Sequence, residues 1–331
     1  MRAGRLTEIL QRAASKRVLV IGDLMLDEFV WGKVGRISPE APVPVVEVSS
    51  ESSYPGGAAN VARNLRQFTG HVGVAGMIGR DRSGDQLREL LAAEKIDTSA
   101  SAISDTFSTI VKTRIIARQQ QVVRVDREKI CVPDKAQIAS VVSAITKMLP
   151  QIDAVIFEDY GKGFLAQELV SQIVSAADGK VIAADPNPRH QISWSGLSVV
   201  KPNRGEAFHA AGIPWSEPTD SVANDSALHQ VGEILIEKWR TQLLLITLGE
   251  QGMILFQRDA QPHHVPTKAR QVFDVSGAGD TAIALFTLAL AADATPPEAA
   301  DIANHASAVV VGKLGTATVT PEELRESFEN E

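Results

Sequence analysis

The chain has 331 residues, 44% of them hydrophobic and 22% charged, with a formal net charge of −7; this is the make-up of a soluble globular protein with a substantial core. The acidic balance and the lack of a basic stripe exclude a nucleic-acid binder. The single cysteine, Cys131, excludes an internal disulfide and a cysteine zinc cluster and fits a reducing compartment.

The N-terminus carries Arg2, Arg5, Arg12, Lys16 and Arg17, but Leu6, Ile9, Leu10 and Ala13 recur at helical spacing, so it reads as an amphipathic helix and not as a signal peptide. No stretch approaches the roughly 18 apolar residues of a membrane span, and a cytoplasmic protein is expected. Arg17 to Ile21 is a continuous apolar run ending in Gly22-Asp23, the pattern of a buried parallel strand. Asp27 is expected beyond its carboxyl end, where open α/β sheets collect ligands; capping of the loop is the plainer role for both Asp23 and Asp27.

Residues 29–48, broken by Gly32, Gly35, Pro39, Pro42 and Pro44, read as a small β excursion, since proline confines strands to edges and irregular positions. Gly56-Gly57-Ala58-Ala59-Asn60 opens a helix where a backbone can approach a ligand closely, with Asn60 able to read hydroxyls. Val72 to Ile78 reads as one strand, and Gly79-x-Asp81-x-x-Gly84 as a structural turn. Residues 107–126 form a second β insertion, with Arg118 to Gln121 as its turn or a polar strand segment. Arg114, Arg118 and Arg124 fall in it, and arginine suits forked phosphate contacts.

From residue 135 onward helices and strands alternate: helix 135–148, strand 154–157, helix 165–177, strand 181–184, strand 197–200, helix 221–238, strand 243–247, a hairpin partner at 253–256, and helices 279–292 and 296–313. Alternation of this kind predicts a mainly parallel sheet covered on both faces. Polar residues gather at the strand ends: Glu158 to Gly163, Asp185-Pro186-Asn187, Lys201 to Glu206, and Thr247-x-Gly249-x-x-Gly252. His263-His264 on a strand point to opposite faces, which argues against a metal site.

The stretch Asp274-Val-Ser-Gly-Ala-Gly-Asp280 carries the chemistry. Small residues turn tightly into a helix whose first N–H groups are unpaired, and amides plus dipole make a site for phosphate or developing negative charge. Asp280 at its mouth can take a proton from a hydroxyl; an acid that merely complements the dipole is the plainer alternative. There is no P-loop sequence and no G-x-S-x-G. Gly277-x-Gly279-x-x-Ala282 matches the dinucleotide fingerprint only loosely, with no acid where ribose binding would need one. Phosphoryl transfer to an alcohol fits what remains.

Asp274 to Asp280 resembles the second signature of the ribokinase-like (PfkB) sugar kinases, and Gly56 to Asn60 with Gly79-x-Asp81-x-x-Gly84 resembles the first. Gly22-Asp-Leu-Met-Leu-Asp27, Arg36 to Val46, Ala117-Arg-Gln-Gln-Gln121 with Arg124-Val-Asp126, and Asp159-Tyr-Gly-Lys-Gly163 look specifically like the kinases of D-glycero-β-D-manno-heptose 7-phosphate. The resemblance implies a three-layer αβα ribokinase-like domain spanning 1–331, with a β lid built from about 29–48 and 107–126 that pairs subunits into a homodimer. It implies ATP and Mg2+ as cofactors and leaves room for a monovalent cation. Asp280 would be the general base and Gly277, Ala278 and Gly279 the anion hole. Asp27, Gly56, Gly57 and Asn60 would hold sugar hydroxyls, with Arg118 or Lys162 on the sugar phosphate. Asn203 and Glu206 would hold magnesium through water, and Thr247, Gly249, Gly252 and Asn304 would hold the nucleotide.

Asn187, Lys201 and Gly205 depart from the heptose-kinase pattern, where lysine, threonine and serine are usual. A kinase of fructose, tagatose or ribose derivatives is therefore the alternative within the family, and a catalytically silent kinase-like binding protein is the alternative outside it. A nucleotidyltransferase domain, which follows the kinase in bifunctional relatives, has no room in these 331 residues.

Overall fold

The computed structural model describes residues 1, 3–118, 120–130, 132–269 and 271–329. Arg2, the turn residue Gln119, Cys131, Arg270 and the tail residues Asn330 and Glu331 lie outside the described residues.

Helix α1 (Ala3–Ala13) precedes strand β1 (Arg17–Gly22), after which β2 (Leu24–Ile37) and β3 (Pro44–Gly57) form a long hairpin. Next come α2 (Ala58–Arg66), β4 (His71–Ala75), β5 (Met77–Gly79), α3 (Arg82–Ala93) and β6 (Ala102–Ser104). A second hairpin, β7 (Ile110–Ala117) and β8 (Gln120–Arg127), leads to α4 (Lys135–Met148), β9 (Ala154–Glu158), α5 (Gln167–Ala176), β10 (Val181–Asp185) and β11 (Val199–Val200). The chain continues through α6 (Arg204–Ala211), α7 (Ser226–Trp239), β12 (Leu243–Thr247), β13 (Met253–Gln257) and β14 (His263–Val265). Three helices close it: α8 (Ala278–Ala291), α9 (Pro296–Val311) and α10 (Pro321–Glu329).

Among the described residues, eight strands form the main sheet in the order β14-β13-β12-β11-β10-β9-β1-β4. It is parallel from β4 to β12; β13 pairs antiparallel with both β12 and β14 and is the one reversed strand of this sheet among the described residues. Alternation along β1 shows why both faces need cover. Val18 and Val20 pack with α2, α8 and α9 through Ala62, Ile283 and Ile302, while Leu19 and Ile21 pack with Ile145, Phe157, Ile173 and Trp194. Every apolar side chain so buried contributes about 1.5–3 kcal/mol. Helix α8 is buried along almost its whole length, as a helix that is apolar all round must be. That fixes its N-terminus against the sheet.

The second sheet has the order β3-β2-β7-β8, with β2 and β7 parallel. It starts at Leu24 and Ile110 and ends at Gly57 and Arg127, so the expected segment 29–48 is the middle of its first hairpin, while the expected 107–126 nearly coincides with its second. Asp27 accordingly lies inside β2 and not in a loop after β1. The expected strand 72–78 breaks at Gly76, and β5 leaves the main sheet to pair with β6. Asp81 has the structural part expected of it: its carboxylate caps α3 at Gly84 N and accepts from Thr109 N.

Candidate active site

The carboxyl ends of the parallel strands and the N-terminus of α8 meet on one rim, the place where such sheets bind ligands. A cleft of about 640 Å³ opens there, lined by Glu158, Tyr160, Asp185, Lys201, Glu206 and Asp280 among others. No side chain caps α8, and its N-cap Gly277 has φ +80°, a left-handed geometry that costs glycine little. An added Cβ at Gly277 would stand 2.9 Å from Asn60 Nδ2. Ala278 N donates to Val275 O, while Gly277 and Gly279 line the cleft at a helix start that can attract an anion.

Asp280 is buried and held at both oxygens. Asn60 Nδ2 donates to Oδ2 at 2.7 Å and the Tyr160 hydroxyl donates to Oδ1 at 2.8 Å. Burial raises its pKa above the ordinary aspartate value, and the two donors and the Lys201 ammonium oppose that rise. The result is a carboxylate that is oriented yet more basic than one in water, as a proton acceptor should be. Asn60, expected to read a sugar hydroxyl, gives its Nδ2 to the Asp280 carboxylate, while its buried Oδ1 has no hydrogen-bond partner among the described residues. Tyr160 was not singled out by sequence reasoning. Its only signal there was its place in the Asp159 to Gly163 loop, whose backbone N–H groups at Tyr160, Lys162 and Phe164 all bind the buried Asp23 carboxylate. Burial carries Asp23 up to about 6 against those donors.

Behind the anion site, Lys201 Nζ lies 2.6 Å from Asp185 Oδ2 and 3.5 Å from where a Cβ on Gly279 would be. The departure noted at Lys201 thus puts a buried ammonium beside Gly279. Burial and the neighbouring Glu206 and Asp280 push Asp185 up to about 7, with Lys201 pulling it down. Lys201 is raised because Asp185, Glu158 and Glu206 outweigh its own desolvation. Glu158 shares this buried, negatively charged cluster. That side chain is pushed well above its usual range by burial and by Asp185, and its Oε2 has no hydrogen-bond partner.

Elsewhere on the cleft wall, Asn203 and Glu206 cap α6 reciprocally. Asn203 Oδ1 accepts from Glu206 N at 2.9 Å, and Glu206 Oε2 accepts from Asn203 N at 2.8 Å. Both line the cleft. A second cavity of about 420 Å³, with Thr247, Gly249, Gly252, Ala278 and Asn304 in its wall, shares Thr247, Gly249, Val275 and Gly279 with the first. Its apolar wall includes Met253, Val272 and Val311, and Asn304 Nδ2 is tied to Pro266 O at 2.7 Å. Together the two have the size and mixed lining of a site for an extended ligand with one apolar and one anionic end. Among the described residues no three His, Cys, Asp or Glu side chains could hold a metal by themselves. The donor set fits an ion that keeps its waters and binds through substrate phosphates, as magnesium does.

On the opposite side of Asp280, Asp27 is paired with Arg114 in a mostly buried ion pair. Gly56 stands where a Cβ would be 2.2 Å from Asp27 Oδ2, so only glycine lets the two strands and that carboxylate coexist. Gly57 ends β3 beside Asp23. Lys162 Nζ is bound to Glu128 at 2.7 Å. Arg118 is exposed at the β7–β8 turn, six residues beyond Lys112, the register partner of Asp27. At roughly 3.3 Å per residue it is about 20 Å along the strand from Asp27, so within one chain the structure does not bring Arg118 to the cleft. A further cavity of about 570 Å³ beside α9 and α10 contains none of these groups.

The profile of the pfkB family of carbohydrate kinases matches residues 15–323. The chain is 40% identical over 320 residues to the bifunctional protein HldE of Desulfatibacillum aliphaticivorans, covering 96% of this chain and 64% of that protein. It is 43% identical over 312 residues to the bifunctional protein HldE of Helicobacter pylori (strain HPAG1), covering 93% and 65%. It therefore spans a little under two thirds of these relatives. Among solved structures it resembles phosphofructokinase-2 of Escherichia coli in complex with potassium, with a TM-score of 0.75 and 17% identity over 96% of this chain and 99% of that one. It also resembles ribokinase of Thermotoga maritima, with a TM-score of 0.73 and 18% identity over 95% and 100%. The fold is the ribokinase-like α/β fold.

Proposed function

Because the chain belongs to the pfkB family of carbohydrate kinases, we propose that it transfers the γ-phosphoryl group of ATP to the anomeric hydroxyl of D-glycero-β-D-manno-heptose 7-phosphate. The observation that carries the chemistry is Asp280: a buried carboxylate on the first turn of α8, oriented by Asn60 and Tyr160, beside amides that no side chain caps. In this reading the adenine end of ATP occupies the cavity walled by Thr247, Gly249, Gly252 and Asn304, and its phosphates reach toward Gly277–Gly279. Asp280 accepts the proton of the attacking hydroxyl. The amides of Gly277, Ala278 and Gly279 and the Lys201 ammonium stabilise charge on the transferring group. Magnesium, when bound with ATP, would neutralise phosphate charge, with Glu206 and Asn203 holding its waters; a monovalent cation would be an accessory.

The narrower substrate rests on the relatives named HldE and on the stretches Arg36 to Val46 and Ala117 to Asp126. The small sheet would act as a lid that excludes water from the transferring phosphoryl group. Its outer strand β8 is exposed at all eight positions, an open edge suited to pairing two subunits. A cytoplasmic location follows from the substrates proposed; none of the described helices is long and apolar enough to cross a membrane.

Lys201 and Asn187 favour one second reading, a pfkB kinase for a hexose or pentose derivative. A kinase assay with a panel of sugars and sugar phosphates separates the two. Turnover on heptose 7-phosphate with kcat/KM well above that on fructose, tagatose and ribose derivatives supports the first. Clear turnover on a hexose phosphate and none on the heptose overturns it, and no turnover on any acceptor would indicate a silent binding protein.

A further inference from the structure

Around Tyr160 at the rim of the cleft four cations gather: Lys112 and Arg114 on β7, Arg124 on β8, and Lys162 from the loop after β9. Three are already matched with carboxylates. Arg114 pairs with Asp27, Arg124 with Asp126 and Lys162 with Glu128. Lys112 is half-buried and, among the described residues, has no carboxylate partner. Its Nζ lies over the Tyr160 ring, 5.3 Å from the centroid. A half-buried ammonium that forms no ion pair of its own is placed to take a ligand's charge. Desolvation and the charges of Lys162 and Arg124 hold the Lys112 pKa below the ordinary lysine value, against the pull of Asp27 and Glu128.

The placement identifies which anion. Tyr160 presents its face to Lys112 and its hydroxyl to Asp280. An acceptor sugar lying along that ring has its reacting hydroxyl at Asp280 and its far end at the ammonium. Resting on the kinase reading above, we infer that Lys112 is the residue that reads the phosphate already carried by the acceptor, with Arg124 and Lys162 adding charge around it. Arg118 has no part in this within one chain.

The test compares phosphorylated and unphosphorylated forms of one acceptor, for binding without ATP and for turnover with it, in the parent, Lys112→Met and Lys112→Arg. Removing a charged hydrogen-bonding partner of phosphate should raise KM for the phosphorylated acceptor about ten- to hundredfold. KM for ATP should not move, the unphosphorylated acceptor should be little affected, and Lys112→Arg should recover much of the loss. Melting of Lys112→Met close to the parent shows that any loss is not one of folding. Equal losses on both acceptors, or an unchanged KM for the phosphorylated one, would overturn the assignment of Lys112 while leaving kinase function standing. A parent that turns over only unphosphorylated acceptors sinks the anion site and the heptose phosphate reading together.

Discussion

Asn60 Nδ2 and Asp280 Oδ2 lie 2.7 Å apart although 220 residues separate them in the chain. The two signature stretches are thereby one device: the first orients the carboxylate that the second provides. Asp280→Asn keeps the shape and removes the proton acceptor. It should lower kcat by about 10²–10⁴-fold while ATP binding, followed by calorimetry, stays within a few-fold of the parent. Near-normal turnover would remove Asp280 from the role of base.

Tyr160→Phe removes only the hydroxyl that donates to Asp280 Oδ1. Hydrogen bonds to the ionised form lower a carboxylate pKa, so their loss should raise it further. The acid limb of the kcat profile should move to higher pH by about one unit, taking a charged hydrogen bond as about 1.5 kcal/mol. A profile that keeps its limb and only drops in height would mean that Tyr160 merely packs.

Gly277→Ala should be harmful twice over. The left-handed φ of +80° penalises any Cβ by about 1 kcal/mol or more, and that Cβ would stand 2.9 Å from Asn60 Nδ2. Reduced melting temperature together with a kcat loss resembling that of Asn60→Ala is the expected pattern. An unaffected kcat would show that Asn60 can be displaced without consequence.

Lys201→Met leaves Asp185 buried without its partner, which costs about 3–5 kcal/mol for pairs of this kind. Denaturant titration should show the loss, and Lys201→Met with Asp185→Asn should regain most of it. Additive losses in the double variant would contradict the coupling.

Asp23 gives a pH signature. Folded, it holds its proton to about 6, against an ordinary value of 3.8. Between these values the unfolded chain binds fewer protons than the folded one, so its contribution to stability falls as pH rises from about 4 to about 6. Asp23→Asn does not titrate. The stability of this variant relative to the parent should therefore climb across that window, at up to about 1.4 kcal/mol per unit, and be flat above pH 7. A difference that does not change with pH would show that Asp23 ionises normally.

The α/β alternation, the two β insertions and the gathering of polar residues at strand ends were legible in the sequence because each is a local pattern of spacing and breakers. Less was legible where the deciding contact is distant. The limits of the small sheet depend on β2 pairing in parallel with β7 from Met25 onward, which no local periodicity encodes. The same register decides that Lys112, and not Arg118, stands opposite Asp27. Helix α6 is only eight residues long with almost no amphipathic pattern, so nothing in its sequence advertised it beyond the Asn203 to Glu206 capping box. Tyr160 reads as a loop aromatic until the fold sets its hydroxyl on Asp280.

Only Asp23 stands between the last residue of β1 and the first of β2, and its carbonyl also accepts from Ala58 N, where β3 hands over to α2. Its carboxylate grips the loop that carries Tyr160. A single residue is thus the junction of the small sheet and the anchor of the tyrosine beside Asp280. A substitution that displaced Asp23 would disturb the root of both hairpin strands and the Tyr160 loop at once.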